Sequence, residues 1–241
     1  MRQRTLVSQL GLAAVLLLAG SVFAAPTAYW RFGDGPPGDR AVALASEVNG
    51  AVTAGKGSVR GEGSPPVFDP DVPGAEIWDG STGACVNPDN QGCLRFVRAG
   101  GEVTVPGAAR VLHPREFTVE VFVKVERPMP QHMILVSKRR KDFGGCTWSL
   151  SVTPKGALQA RCDTQAGQTG KNGVDWNQTV AAAGTVADGQ WHHVALTYEH
   201  AQQRASLLID HVLRGSRRTK AALVYDASDF IIGRGVVGLI D

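Results

Sequence analysis

Residues 190–198 read Gln-Trp-His-His-Val-Ala-Leu-Thr-Tyr, and this stretch decides the predicted fold. Asp188-Gly189 directly before it is a turn signal, while Val194, Leu196 and Tyr198 share one parity. The pattern therefore predicts a half-buried strand that is entered from a tight turn. Its two adjacent histidines point to opposite faces of a straight strand and cannot both ligate one ion. We interpret them as structural residues.

The rest of the chain predicts more strands of the same kind. Residues 117–125 are the clearest, because Phe, Val, Val, Val and Val alternate with other residues on one face. Gly (29 residues) and Pro (13 residues) separate many short apolar runs, which favours strands and turns over helices. Further strands are predicted at 29–32, 94–97, 102–105, 133–137, 146–152, 158–162, 205–209, 212–215, 222–224 and 230–232. The sum predicts an all-β, two-sheet antiparallel sandwich.

The N-terminus has the features of a secretory signal peptide. Met1–Arg4 is basic, Leu10–Phe23 is apolar, and Val22-Phe23-Ala24 supplies the small residues of a cleavage site. We expect residues 1–24 to be removed, leaving a single domain over residues 25–241. The apolar run is short for a membrane span, and no cysteine follows it to carry a lipid anchor. The predicted location is outside the cytoplasm: secreted, periplasmic or at the cell surface.

Net charge limits the class of partner. Removing Arg2 and Arg4 with the signal peptide lowers the formal charge from +3 to +1. Binding to a phosphate backbone needs a concentrated basic face, so a nearly neutral chain argues against nucleic acid.

Four cysteines in an exported chain predict disulfides, with three possible connectivities. If the hairpin around the turn at 153–156 pairs Leu150 with Leu158, then Cys146 lies opposite Cys162, within the Cα range that a disulfide spans. Cys146–Cys162 is therefore our first predicted pair. Cys85–Cys93, which closes a short loop, follows by elimination.

A family resemblance is visible in the order of the strand sequences. The chain is similar to LamG-like jellyroll domains of the concanavalin A-like lectin/glucanase superfamily, most specifically through Trp-His-His-Val-Ala after Asp-Gly. The segments that carry the resemblance are Tyr29–Phe32, Leu94–Phe96, Phe117–Lys124, Trp191–Tyr198, Leu207–Asp210, Ile231–Gly233 and Gly238–Asp241. The resemblance implies a two-sheet antiparallel jellyroll. It also implies an extracellular module that binds carbohydrate or protein without catalysis.

Three features of this chain depart from that pattern. Asp210-His211 stands where the family usually has Asp-Gly, so we expect a turn of another type there. Family members usually continue into a last strand after Ile-Asp, but this chain stops at Asp241. We therefore expect either that the chain is a fragment or that the strand with Trp30 lacks its usual neighbour and has an open edge. Residues 36–75 predict an irregular insertion.

Catalysis is the competing interpretation. Retaining glucanases of this superfamily carry two carboxylates on one strand as Glu-x-Asp-x-x-Glu, and this chain has no such pattern. Glu116, Glu120 and Glu126 share a parity but have the wrong spacing, which is typical of a solvated strand face. Polysaccharide lyases of this fold need Gln-x-His, and Gln131-His132 does not match. No Gly-x-Ser-x-Gly elbow is present.

Two loops carry candidate binding residues. Relatives of the laminin-G and pentraxin types bind calcium in rim loops, and calcium prefers oxygen ligands. The candidate calcium ligands are Asp79, Asn87, Asp89 and Asn90, although such a sequence is also typical of an ordinary turn. Trp176, with Asp175 and Asn177 beside it, is our candidate for stacking on a sugar ring, the alternative being a tryptophan that holds its loop to the body.

Two basic clusters could hold a sulfated or uronic-acid glycan if they meet on one rim. One is Lys138-Arg139-Arg140-Lys141, from which we select Arg139 and Arg140. The other comprises Arg214, Arg217, Arg218 and Lys220. The common alternative is a pair of solvated turns.

The sequence thus predicts a secreted, non-catalytic module that binds a glycan or another extracellular polymer. The alternatives are a glycoside hydrolase or polysaccharide lyase of the same fold, and a structural domain of a longer surface protein. No cofactor is implied beyond the candidate calcium.

Overall fold

The computed structural model describes the chain in segments. These are residues 29–30, 43–44, 46–47, 57–60, 66–73, 92–97, 101–106, 112–126, 131–139, 146–163, 178–219, 221–236 and 238–241. No helix among them is long and apolar enough to cross a membrane.

The described residues form seventeen strands. These are β1 (Tyr29–Trp30), β2 (Ala43–Leu44), β3 (Ser46–Glu47), β4 (Gly57–Arg60), β5 (Val67–Asp69), β6 (Cys93–Phe96), β7 (Glu102–Val105), β8 (Phe117–Lys124), β9 (Met133–Arg139), β10 (Cys146–Val152), β11 (Leu158–Cys162), β12 (Thr179–Ala181), β13 (Trp191–Glu199), β14 (Arg204–Ile209), β15 (Val212–Arg218), β16 (Phe230–Arg234) and β17 (Gly238–Ile240).

The strands build two large antiparallel sheets that pack as a sandwich, which confirms the predicted fold class. The larger sheet has the order β12-β11-β10-β9-β16-β7-β4-β2, and the smaller sheet has the order β15-β14-β13-β8-β17-β6-β5. β1 and β3 pair only with each other. The strand with Trp30 therefore has a neighbour, and β17 lies inside the smaller sheet between β8 and β6.

The core lies between the inner faces of the two sheets. The predicted strand at 190–198 is confirmed as β13, whose Val194, Leu196 and Tyr198 are buried. An aromatic cluster joins the sheets: the ring of Trp148 lies 5.0 Å from that of Phe117 and 5.7 Å from that of the Phe on β16. Alternation along each strand buries one face, as period-2 patterning requires.

Three segments differ from the sequence prediction. Residues 36–75 are not irregular throughout, because β2 and β4 join the larger sheet and β5 joins the smaller one. Residues 179–181, where the sequence predicts no strand, form the edge strand β12. Residues 222–224 form no strand; the carbonyl of Val224 instead accepts a hydrogen bond from Thr147 Oγ1, at 2.6 Å. Short segments of polar or mixed sequence have weak strand patterns. Whether they form strands depends on their pairing with other strands in the folded protein.

The register predicted for the β10–β11 hairpin is wrong by two residues. Leu150 lies opposite Ala160, whereas the prediction placed it opposite Leu158. The connection is a five-residue loop, Thr153–Ala157, in which Thr153 Oγ1 accepts hydrogen bonds from two backbone amides and Gly156 has φ +80°. A shift of two preserves parity, so every side chain keeps its predicted face.

This shift removes the basis of the predicted Cys146–Cys162 disulfide. Cys162 lies opposite Trp148, and Cys146 lies opposite Arg139. The two cysteines are therefore diagonal neighbours, whose Cα atoms are typically about 7–8 Å apart, beyond the range of a relaxed disulfide. Both thiols are free in the structure. Burial raises the pKa of the Cys162 thiol to about 12, so this thiol is unreactive at neutral pH.

The predicted Cys85–Cys93 pair is only half described. Cys93 is a free, buried thiol on β6 whose Sγ donates to the carbonyl of Asp71 at 3.1 Å. Cys85 lies outside the described residues. Burial raises the pKa of Cys93 above its usual range, which is typical of a packed structural cysteine.

The Asp210-His211 turn has the backbone conformation that is usual for Asp-Gly, although the sequence predicts a turn of another type. Both residues have positive φ, at 50° and 64°, as the two central residues of a type I′ hairpin turn require. The expectation of another turn type is therefore wrong. Contacts of both side chains, described below, offset the cost of the left-handed conformation.

The edges of the two sheets meet along β12 and β15. A Cβ atom on Gly215 would lie 2.3 Å from the carbonyl oxygen of Ala181, and Ala183 N donates to Arg214 O at 3.1 Å. The absent side chain of Gly215 therefore lets the edges of the two sheets meet.

We predict that Gly215→Ala destabilises the fold by about 1–3 kcal/mol, because the new methyl group overlaps backbone atoms that cannot move independently. Urea unfolding measures the change. Ser216→Ala on the same strand is the control, with a loss of about 1 kcal/mol or less for one hydrogen bond. Equal losses in both variants would show that the close approach does not require glycine.

Candidate functional site

At one end of the smaller sheet, two aspartates of the segment 66–73, which contains the edge strand β5, bind side chains of the neighbouring strands. Arg95 Nε donates to Asp69 Oδ2 at 2.5 Å, and Lys124 Nζ donates to Asp71 Oδ2 at 2.7 Å. Asp71 Oδ1 also accepts the indole N–H of Trp191 at 3.0 Å. Two carboxylates thus fasten this segment across β6, β8 and β13. The indole of Trp191 is thus held on the outer face of the sheet.

These contacts lower the pKa values of both carboxyl groups. Burial raises the pKa of Asp69, but its hydrogen bonds to Arg95 and to the Asp71 amide outweigh burial and lower the pKa overall. For Asp71, burial is likewise outweighed by the hydrogen bonds from Lys124 and Trp191, so its pKa is also lowered. This end of the face is occupied by the protein itself and offers no open binding surface.

The two adjacent histidines lie at the rim of the sandwich, outside the sheet interface. His192 is bonded to two carboxylates, with Nδ1 2.8 Å from Asp210 Oδ2 and Nε2 3.1 Å from Asp188 Oδ1. The ring of His193 stacks on that of His211 with centroids 4.5 Å apart. The two imidazole rings contact different side chains, although the backbone amide of His193 also donates to Asp210.

The outer face of the larger sheet is polar but buried. The residues that form one row across it are mostly small and hydroxylated: Thr179, Arg161, Ser149, Ser137, Ile231 and Thr104. Ser137, Ser149, Ile231 and Thr104 in this row are all buried. An accessible binding surface must therefore be sought elsewhere on the molecule.

The edge of the smaller sheet carries four arginines, which we call the arginine edge: the half-buried Arg204 and the exposed Arg214, Arg217 and Arg218. Six of the seven residues of β15 are exposed, because β15 is the last strand of its sheet. Arg217 reaches toward β12, where its Nη1 donates to the carbonyl of Thr179 at 3.1 Å. This bond orients one guanidinium along the line where the sheets meet.

No ion pair neutralises the arginine edge within the described residues. Arg204 and Arg218 lie directly opposite each other, a like-charge pair that is destabilising in a sheet. Glu199 is the other neighbour of Arg204 across the strands, yet it forms no ion pair with it. The Nε of Arg204 is buried without a hydrogen-bond partner. That buried atom is out of reach of a ligand, but the exposed guanidinium groups of Arg214 and Arg218 are available to an anionic one.

The predicted ligand-binding residues are only partly described. Arg139 ends β9, is half-buried, and donates its backbone N–H to Asp229 O at 2.9 Å. β9 lies three strands from β12, so Arg139 and the arginine edge do not meet on one rim. The candidates outside the described residues are Trp176, Asp175, Asn177 and Arg140, and the candidate calcium ligands Asp79, Asn87, Asp89 and Asn90.

Lys138, the first residue of the basic cluster at 138–141, does not lie in a solvated turn. Lys138 belongs to β9 and is fully buried, and its Nζ donates to the carbonyls of Asp226 and Ser228. Burial lowers the pKa of Lys138, although the nearby Asp226 and Asp229 oppose that effect. This lysine ties the loop before β16 to the larger sheet and is not available to a ligand.

Neither a metal centre nor a catalytic carboxylate pair emerges from the described residues. No group of three or more His, Cys, Asp or Glu side chains among them could hold a metal ion. Glu116, Glu120 and Glu126 are all exposed, which is consistent with a solvated face. The interaction with His193 lowers the pKa of Glu120, against the smaller opposing effect of burial.

Sequence reasoning found three of the four residues of the arginine edge and missed Arg204. Arg214, Arg217 and Arg218 are close together in the sequence, whereas Arg204 reaches them only through the pairing of β14 with β15. The Asp210-His211 turn was the available signal, because a two-residue hairpin turn determines which residues lie opposite each other.

The fold and the sequence together define the family. The model of a family in the concanavalin A-like lectin/glucanases superfamily matches residues 98–241, more than half of the chain. The chain therefore belongs to this superfamily. No curated protein sequence matches it.

Several solved structures are similar to this chain at low sequence identity. The binding domain of Paraclostridial Mosquitocidal Protein 1 is 14% identical, with a TM-score of 0.49, and the match covers 79% of this chain and 45% of that chain. Domain 4 of AbnA, a GH43 extracellular arabinanase from Geobacillus stearothermophilus, solved with arabinotriose, is 16% identical, with a TM-score of 0.47 and coverage of 77% and 79%. The Ruminococcus gnavus IT-sialidase CBM40 is 11% identical, with a TM-score of 0.38 and coverage of 53% and 74%. This chain thus spans less than half of the first of these structures.

We predict that Asp71→Ala destabilises the protein by about 1–2 kcal/mol, because Lys124 and Trp191 lose their shared acceptor. Asp71→Asn keeps an acceptor for the indole of Trp191, so we expect a smaller loss of stability. The lowered pKa values of Asp69 and Asp71 add stability above the unfolded-state pKa, and this stability is lost as pH falls through the folded-state pKa.

Urea unfolding of these variants and the parent at about pH 7 and about pH 3 measures the effect. The difference between parent and Asp71→Ala should shrink at the acid pH. Glu116→Gln, which removes an exposed carboxylate, is the control. A difference that stays constant with pH would contradict the assigned ion pair.

Proposed function

We propose that this protein is a non-catalytic binding module that acts outside the cytoplasm and recognises an acidic glycan at the arginine edge. The observation that carries the proposal is the cluster of four arginines on β14 and β15 without an ion-pair partner among the described residues. An enzyme of this fold would need a carboxylate pair, and the geometry of the described glutamates favours none.

The chemistry of the guanidinium selects the ligand class. Its planar set of donors matches a carboxylate or sulfate group in bidentate fashion, which a lysine ammonium cannot do. A linear polymer with regularly spaced acidic groups can lie along β15 and contact Arg214 and Arg218 in succession. Leu213, which is 60% exposed, adds apolar surface for the face of a sugar ring.

The loops selected from the sequence extend this proposal. Trp176 with Asp175 and Asn177 remains our candidate for sugar stacking, and Asp79, Asn87, Asp89 and Asn90 remain the candidate calcium ligands. The signal peptide at 1–24 would deliver the module to its polymer. Further domains of a longer chain would fit the same role, because such modules direct an attached domain to a surface.

The test compares binding of three polymers: oligogalacturonate, dextran sulfate and neutral dextran. We expect the wild-type protein to bind the two acidic polymers and not dextran, with affinity that falls as salt rises. The double variant Arg214→Ala/Arg218→Ala should bind about fivefold or more weakly, because each exposed ion pair contributes up to about 1 kcal/mol. Isothermal titration calorimetry measures the affinities.

Lys155→Ala is the matched control, since it removes an exposed positive charge from a different hairpin. Its affinity should equal that of the wild type. Equal binding by the double variant, or binding of dextran as strong as that of the acidic polymers, would overturn the proposal. Release of new reducing ends during the assay would instead support the hydrolase alternative.

A further inference from the structure

The rim of the sandwich holds a histidine between two carboxylates from different turns. Asp188 belongs to the turn that precedes β13, and Asp210 belongs to the turn between β14 and β15. Both ring nitrogens of His192 lie within hydrogen-bond distance of these carboxylates, at 3.1 and 2.8 Å. The imidazole of His192 therefore bridges the two turns.

The geometry requires a particular protonation state. An ionised carboxylate accepts hydrogen bonds but cannot donate them, so each ring nitrogen of His192 must carry a proton. Only the imidazolium has two N–H groups. The neutral ring keeps one N–H and must give up one of its two carboxylate bonds.

The pKa directions agree with this geometry. Burial lowers the pKa of His192, but the hydrogen bonds to Asp210 and Asp188 outweigh burial, so the pKa is raised above 6.5. The pKa of Asp188 is lowered, first by its hydrogen bond from the Gln190 amide and then, against burial, by His192. The side chains of Asp188 and Asp210 are 43% and 52% exposed, so the solvent can exchange protons with the site.

Asp210 also helps to hold the β14–β15 turn, whose two central residues both have positive φ. Asp210 Oδ1 accepts the amide N–H of His193 at 3.0 Å, and the amide of Asp210 donates to His193 O at 2.8 Å. His211 contributes by stacking on the ring of His193. The turn joins the two strands that carry the arginine edge.

We propose that His192 is a pH-dependent clamp that, when protonated, holds the β14–β15 hairpin to the turn before β13 and so keeps the arginine edge in position. The clamp stands on the geometry of the rim alone. Only its effect on ligand affinity rests on the proposed binding function. Protonation also adds one positive charge beside the turn of the β14–β15 hairpin, at the end opposite to the pair Arg204 and Arg218.

The titratable groups near His192 come from two turns and from β8. The turn before β13 presents Asp188, and the β14–β15 turn presents Asp210 and His211. On β8, Glu120 faces His193, with Oε2 3.7 Å from Nε2, and therefore acts on the neighbouring ring. Lys124 on the same strand is engaged by Asp71.

The sign of the pH effect follows from the raised pKa. The clamp contributes its full stabilisation below the unfolded histidine pKa of 6.5 and loses it as pH rises through the higher folded-state pKa. At the acid end, the contribution of Asp188 disappears as pH falls through its lowered pKa. The clamp thus closes in mildly acidic to neutral solution and opens in alkaline solution.

The experiment measures the ring titration by NMR and the hydrogen-exchange protection factors of the His193 and Asp210 amides. His192 should titrate with a midpoint above 6.5, and Asp210→Asn should lower that midpoint. From about pH 6 to about pH 9 the two protection factors should fall about two- to fivefold, as expected for exposed ion pairs. In His192→Gln they should be low and independent of pH.

His132→Gln is the matched control, because His132 is an exposed histidine outside the rim. It should retain the pH dependence of the wild type. A His192 midpoint at or below 6.5, or an unchanged pH dependence in His192→Gln, would overturn the clamp. A normal clamp titration in a protein that binds no acidic polymer would leave the clamp standing and refute only the proposed function.

Discussion

The antiparallel pairing of β8 with β13 is the constraint on which the remaining structure depends. Eight residue pairs join the two strands in one unbroken register, from Trp191 opposite Lys124 to Tyr198 opposite Phe117. Because side chains alternate, this register buries Val194 and Leu196 and turns their neighbours outward. A slip by one residue would exchange the two faces. It would also remove Trp191 and Lys124 from their common acceptor, Asp71.

The same register determines the chemistry of the rim and of the arginine edge. β14 pairs with the free side of β13, and β15 pairs with β14, so each arginine is placed by successive hydrogen-bonded ladders. Gly215 lets β15 approach β12 while the arginine side chains stay in solvent. The structure tolerates the like-charge pair of Arg204 and Arg218 because both strands are held by neighbours and by a turn with ordered side chains. A ligand that neutralises the pair would relieve this repulsion.

The outcome for individual residues shows where sequence patterns lose information. Strand parity at 146–152 and 158–162 was predicted correctly, but the register was not, because the hydrogen bonds of Thr153 enlarge the turn by an amount that periodicity does not report. The predicted Cys146–Cys162 bond failed for that reason. Lys138 was assigned to a basic loop, since nothing local indicates that two backbone carbonyls from residues 226 and 228 surround its amine. Asp210-His211 was expected to change the turn type, yet rim contacts compensate for the missing glycine.

By itself, the sequence determined the all-β class, the two inward-facing strands at the centre of the smaller sheet, and three members of the arginine edge. These properties depend on alternation and on local charge, which are written in consecutive residues. Only the tertiary structure decided that Arg204 joins that edge, that Asp71 binds Lys124 and Trp191, and that one histidine bridges two turns. Apart from His192 with Asp188, which are four positions apart, those contacts join residues 14 to 120 positions apart. Their distances depend on sheet order and register, which follow from the packing of the whole sandwich.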